Sequence, residues 1–212
     1  MSFVEQVTAA MVSDSLDVTG RRSQVLPASI RPLVPGSRIV GRVRTVQFAL
    51  AGDVDPAHPY DDAIDFIESL GPGDVAVVAT GASTVTAFWG ERFSAAAIGR
   101  GAVGVVTDGY LRDTEKVAAL GFPVFGAGHR PIDFRGRMRI VAVGGRVVIG
   151  DVAISDGDLL VADPDGVVIV PQEVEERVVE LADARARTES TVLAELLAGD
   201  GLRTVWERHG VL

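Results

Sequence analysis

From residue 61 to residue 125 the chain alternates helix-like segments with short apolar runs, and this pattern restricts the fold more than any other feature. Residues 61–70 read as a helix, stopped by Gly71-Pro72-Gly73. The run at 74–79, Asp-Val-Ala-Val-Val-Ala, has the length and composition of a buried strand. Residues 91–98 suit a helix with Phe93, Ala96 and Ala97 on one side, ended by Gly99 and Gly101. A second buried strand covers 103–107 and is closed by Asp108-Gly109. Residues 114–120 form a further helix before Gly121, and 122–125 another strand. Alternation of this kind predicts parallel pairing with helices on the faces of the sheet.

The flanks are read the same way. Val4, Val7 and Met11 follow helical spacing, and Ser13-Asp14 is a candidate cap for a second short helix through Leu16. Residues 38–46 alternate in part between arginine and apolar side chains, as a strand with one wet face does. Residues 53–60 hold two prolines and two aspartates and read as a loop. Beyond residue 138, runs of Val and Ile are broken at Gly144-Gly145, Asp156-Gly157-Asp158 and Asp165-Gly166, the mark of compact β structure with tight turns. Pro171 then opens a long helix, with Glu173, Glu175 and Glu176 crowding its first turn and Val174, Val178 and Leu181 forming its apolar stripe. Without an internal repeat or linker, the expectation is one α/β domain over residues 1–212, with helices at both ends.

Several function classes fall away on composition. The 212 residues contain no cysteine, which removes thiolate metal sites, iron–sulfur clusters and cysteine nucleophiles. A formal charge of −9 opposes nucleic-acid binding as the main task. The N-terminus lacks the basic start and apolar run of a signal peptide, and no apolar stretch is long enough to span a bilayer. A cytoplasmic protein that binds neither nucleic acid nor membrane is expected. Among the 20 basic residues only Lys116 is lysine, so a Schiff-base mechanism would have a single candidate.

Two glycine motifs read as architecture. Residues 99–104 match G-x-G-x-x-G, but they follow a helix and lead into a strand, the reverse of a dinucleotide site. Gly71-Pro72-Gly73-Asp74 is a turn. His58, His129 and His209 lack metal-ligand spacing, and His129, after a glycine-rich turn, has the best claim to function among them. Two segments carry more chemistry. In Trp89-Gly90-Glu91-Arg92-Phe93 a glycine precedes a helix whose first amides are free to bind a carboxylate, although any ordinary helix start looks alike. In residues 107–113 a strand ends at Arg112, a planar donor fork, and Asp113, a hard-oxygen ligand for Mg²⁺ or Mn²⁺. A solvent-facing Arg–Asp turn would have the same sequence.

In order and spacing the segments carry a resemblance. They are Ser13-Asp14, Gly-Ser-Arg-Ile-Val-Gly at 36–41, Pro-Gly-Asp at 72–74, Trp89-Gly90-Glu91 and the run at 101–109. Arg112-Asp113, residues 121–125, Asp-Gly-Asp-Leu at 156–159, residues 162–171 and the terminal Gly210-Val211-Leu212 follow. Together they resemble the RraA-like family, which includes 4-hydroxy-4-methyl-2-oxoglutarate aldolases, over nearly the whole chain. The resemblance implies a compact α/β domain of the swivelling β/β/α type. The family's aldolases carry an acid, twenty residues, Arg-Asp, two residues and another acid. Here Glu91 is the first acid, residues 92–111 are the twenty, and Arg112-Asp113 follow; the last position is Lys116, with Glu115 one place early.

By that similarity Gly90, Glu91, Arg92, Phe93 and Arg112 bind a pyruvate-type keto acid, Asp113 holds a divalent metal, and Arg112, Asp113 and Glu91 serve catalysis. The implied enzyme is a metal-dependent, class II-type lyase. Retro-aldol cleavage and oxaloacetate decarboxylation would share an enolate stabilised by metal and arginine. Phe88, Trp89, Tyr110 and His129 are candidates for the pocket mouth. The resemblance further implies a homotrimer or a hexamer built as a dimer of trimers, with Glu189 the nearest candidate for a glutamate supplied by a neighbouring subunit. The alternative is a protein-binding regulator of ribonuclease activity, a class that generally lacks the acid-then-Arg-Asp pattern. Some family members carry a menaquinone-pathway methyltransferase label, but no strand-to-helix glycine loop suited to an adenosyl cofactor occurs here.

Overall fold

The computed structural model describes residues 7–52 and 57–210. Val4, Val211, Leu212 and the first part of the 53–60 loop lie outside them. The first described element is a single helix, α1 (Ala9–Val18), whose N-cap Thr8 accepts a hydrogen bond from the Met11 amide. The expected second helix at Ser13-Asp14 therefore does not begin there; both residues lie inside α1. Thr8 provides the cap, and the helix buries Val12 and Leu16 without interruption.

The alternation expected for the middle of the chain holds. After β1 (Arg31–Pro32) and β2 (Ile39–Leu50) come α2 (Asp61–Glu68), β3 (Asp74–Ala79), β4 (Ala87–Trp89) and α3 (Glu91–Arg100). Then follow β5 (Gly104–Thr107), β6 (Tyr110–Leu111), α4 (Thr114–Ala119), β7 (Val124–Gly126) and β8 (Gly128–His129). Pairs β2–β3, β3–β5 and β5–β7 are parallel. The chain closes with β9 (Met138–Val143), β10 (Arg146–Ile149), β11 (Val152–Ser155), β12 (Leu159–Asp163) and β13 (Gly166–Val170), then a 3₁₀ turn (Gln172–Val174), α5 (Glu175–Leu197) and α6 (Leu202–His209). Strands β1, β9, β12 and β13 join the main sheet antiparallel, giving the order β1-β7-β5-β3-β2-β12-β13 with β9 also on β2.

Period-two alternation along β3 sends its side chains to opposite faces. Ala76 and Val78 enter one core with Phe66, Ala97 and Val117 from α2, α3 and α4. Val75, Val77 and Ala79 enter a second core with Val147, Ile149, Val152 and Ile154. The second face is thus covered by the β10–β11 hairpin rather than by helices, because the hairpin's alternating apolar positions supply a complete inner face. A third cluster seats α1 and α5 on β12 and β13.

Smaller departures have local causes. On α3 the buried positions are Ser94 and Ala97, whereas Ala96 faces solvent. Gly99 stays helical, and Gly101, in the left-handed region at φ 85°, ends the helix. A side chain at Gly104 would meet Ile39 Cδ1 at 2.4 Å and the Pro123 carbonyl at 3.1 Å. Helix termination and close packing account for the G-x-G-x-x-G spacing. Pro171 precedes a 3₁₀ turn rather than the α-helix itself, which starts at Glu175.

Candidate functional site

Strands β4, β6 and β8 form a small parallel sheet of their own. They follow the carboxyl ends of β3, β5 and β7 after seven, two and one residues, respectively. Residues at these ends therefore gather where open α/β sheets collect ligands. A pocket of about 310 Å³ lies there. Its lining includes Gly90, Glu91, Arg92, Phe93, Arg112, Asp113 and Lys116. Two segments about twenty residues apart in sequence are thus brought together. Phe88 and Trp89 also line it. Tyr110 and His129 do not: the Tyr110 ring lies over Gly128 and His129 is exposed on β8, so neither belongs to the mouth.

The helix start is built with care. Trp89 Nε1 donates to Ser94 Oγ at 2.9 Å, and Ser94 Oγ donates to the Gly90 carbonyl at 3.0 Å. This ties the end of β4 to the first turn of α3. No side chain caps α3, so its first amides stay available to water or a ligand. The backbone at Gly90 is extended, and its lack of a side chain matters for space alone. An added Cβ would lie 2.9 Å from Asp113 Oδ2 and 3.0 Å from Arg112 Cγ. Gly90→Ala should therefore displace both side chains and lower any activity of the site by about tenfold or more, while the urea midpoint moves little. Steady-state kinetics beside denaturation would read both.

Across the pocket, the Arg112 amide donates to the Trp89 carbonyl at 2.9 Å, fixing β6 beside β4. Its guanidinium lies 3.0 Å from Asp133 and 3.3 Å from Asp113. Burial pulls the Arg112 pKa down, but the two carboxylates outweigh it and raise the value further. Asp133 also accepts the Tyr60 hydroxyl at 2.5 Å. Burial pushes the Asp133 carboxyl up, yet hydrogen bonds from Tyr60 and the Arg135 amide, with the charge of Arg112, hold it below its usual range. Burial and the same carboxylate raise the Tyr60 phenol.

Tyr60 and Asp133 were not among the residues expected from sequence. Both sit outside helix and strand, 73 positions apart, and no spacing rule links them to Arg112. The available hint was Asp133 itself, an acid two residues after Pro131 in a turn-rich segment.

Asp113 carries a backbone signal of its own. It is one of two non-glycine residues at positive φ among the described residues, at 55°. Strained residues of this kind cluster at functional sites. Lys116 reaches Glu91 at 3.3 Å, so the residue in the family's last acidic position pairs with the first acid. Glu189 is held by Arg185 of its own helix at 2.7 Å. Among the described residues no three carboxylates or imidazoles converge as a ready metal cage, and no helix is long and apolar enough to cross a membrane. His58 and His209 lie beside Asp61 and Glu195, each at 3.0 Å, away from the pocket lining.

Comparison with known proteins bears on this geometry. The Legionella pneumophila protein DlpA is 27% identical over 201 residues, 95% of this chain. The chain spans only about a third (32%) of DlpA's length. A Halalkalibacterium halodurans protein named "Putative 4-hydroxy-4-methyl-2-oxoglutarate aldolase" is 31% identical over 83% of this chain and 78% of its own. Among solved structures, an uncharacterized protein from Pseudomonas syringae superimposes with a TM-score of 0.84 at 30% identity, covering 96% of this chain and 94% of that one. A Streptomyces coelicolor protein described as an unusual member of the RNase ES inhibitor RraA family gives 0.77 at 27%, covering 89% and 94%. The family model described as RraA-like, Aldolase/RraA, matches residues 9–169, a span that contains every pocket residue named above, and the chain therefore belongs to the RraA-like family.

Proposed function

We propose that the protein is a divalent-metal-dependent lyase acting on a pyruvate-type keto acid, by retro-aldol cleavage of a 4-hydroxy-4-methyl-2-oxoglutarate-like substrate, decarboxylation of oxaloacetate, or both. The observation that carries this reading is the convergence of the α3 amides, Arg112 and Asp113 in one pocket, with Gly90 keeping the space between them open. The aldolase name of the H. halodurans relative supports it.

Both reactions break a C–C bond and leave the enolate of pyruvate. The first amides of α3 orient the substrate carboxylate. Arg112, held by Asp133, presents a fixed positive charge where the enolate oxygen develops. Glu91, with its side chain 38% exposed, can pass a proton through a neighbouring water once Lys116 lets go of it. Asp113 suits Mg²⁺ or Mn²⁺, since Mg²⁺ keeps several waters and needs only one or two carboxylates besides substrate oxygens. When bound, the cation would act as a Lewis acid toward the keto oxygen. The oligomer is proposed from the family resemblance alone: a trimer or hexamer, with a neighbour's C-terminal helix near the pocket.

Mutual binding tests the site. Mn²⁺ affinity, followed by electron paramagnetic resonance, should tighten about five- to tenfold when pyruvate is present, and pyruvate affinity should respond equally to Mn²⁺. Asp113→Asn should abolish the coupling. Independent binding of the two ligands would remove the proposed role of Asp113.

Similarity to the RNase ES inhibitor relative, together with Lys116 in place of an acid, favours one second reading: a non-catalytic regulator that binds a ribonuclease. Capture of ribonuclease E regardless of Mg²⁺, with no lyase activity, would favour it.

A further inference from the structure

Lys116 departs from the family's pattern, yet it stands on the pocket wall. Six charged side chains line that pocket: Glu91, Asp113 and Asp133 against Arg92, Arg112 and Lys116. Their formal charges cancel, whereas an acid at position 116 would leave the pocket at −2. Arg112 is shared by Asp113 and Asp133, and among the described residues Lys116 has only Glu91 at 3.3 Å. The Lys116 side chain is 67% exposed, so this pair is weak and easily displaced. Among the described residues Arg92 takes part in no ion pair. Cationic capacity is therefore in reserve at Lys116 and Arg92, apart from the guanidinium assigned to the enolate.

We propose that Lys116 is a specificity-determining residue whose ammonium receives a second anionic group at the far end of a 2-oxo acid. The inference rests on the lyase reading of the pocket. A ligand carboxylate displaces Glu91 from Lys116, and Glu91 is thereby released toward water beside the substrate. Keto acids with a neutral far end leave the Lys116–Glu91 pair closed and gain nothing from it.

Calorimetry in Mg²⁺ with three probes tests this. Pyruvate lacks a far group, 2-oxoglutarate ends in a carboxylate, and 2-oxohexanoate ends in a methyl. The native protein should bind 2-oxoglutarate about tenfold tighter than 2-oxohexanoate, the size of one charge-assisted hydrogen bond in a half-open site. Lys116→Gln should erase that preference while pyruvate is still bound. An undiminished preference in Lys116→Gln, with pyruvate still bound, overturns the role of Lys116 and leaves the lyase reading standing. Failure of the native protein to bind any of the three overturns both.

Discussion

Arg112→Ala is expected to lower kcat for pyruvate formation by about 100- to 1,000-fold, the loss found when one preorganised donor to a developing oxyanion is removed, about 2.7–4 kcal/mol. The effect should be large because Arg112 is held from several sides. Its backbone is fixed to Trp89, its guanidinium meets Asp133 and Asp113, and its side chain passes over Gly90. Arg112→Lys should rescue little, because an ammonium cannot meet two carboxylates and a substrate oxygen with the geometry of a planar fork. Stability should change much less than activity, since the side chain is 34% exposed and Asp133 keeps its bond from Tyr60. Rate measurements on purified variants, with urea melts alongside, separate the two effects. Near-native turnover in Arg112→Ala would remove the arginine from the mechanism.

The largest stability loss is expected at Asp108, which ends the β5 strand beside the site. Asp108 is only 7% exposed and accepts three hydrogen bonds: from the Thr80 amide at 2.6 Å, the Thr80 hydroxyl at 2.8 Å and the Ala82 amide at 2.7 Å. Ala82, the other non-glycine residue at positive φ, depends on that anchor. Asp108→Ala would leave three donors without their acceptor and open a cavity. A loss of about 3–5 kcal/mol follows, at about 1–3 kcal/mol for each buried group left unsatisfied and with partial rescue by water. Asp108→Asn retains one carbonyl oxygen and should cost roughly half as much. Urea denaturation gives both values. A shift of less than about 1 kcal/mol in Asp108→Ala would mean that the segment after β3 does not rely on this carboxylate.

Much of this architecture is legible in the sequence, for identifiable reasons. The run at 74–79 is wholly apolar after Asp74, and its short length and valine content favour a strand buried on both faces over a buried helix. Gly71-Pro72-Gly73 and Gly101 mark element ends because few other residues fit those turns. The pocket was legible wherever its residues lie next to an element boundary: Gly90 and Glu91 at a helix start, Arg112 and Asp113 beyond a strand end. Tyr60 and Asp133 were not, because their pairing depends on two loops meeting over Arg112, and loops carry no period. The hairpin covering the second face was also hidden. Alternation in β10 and β11 shows that one side is buried, but not against which sheet. The break between α5 and α6 has its signal in Gly199 and Gly201.

Pyruvate release from oxaloacetate and from 4-hydroxy-4-methyl-2-oxoglutarate, in Mg²⁺ and in EDTA, tests the central claim most directly, with uncatalysed metal-driven decarboxylation subtracted. The expected result is turnover on at least one substrate that requires Mg²⁺ and is lost in Arg112→Ala. Pyruvate formation on both substrates no faster than in the Arg112→Ala control would contradict the assignment of this pocket as a keto-acid lyase.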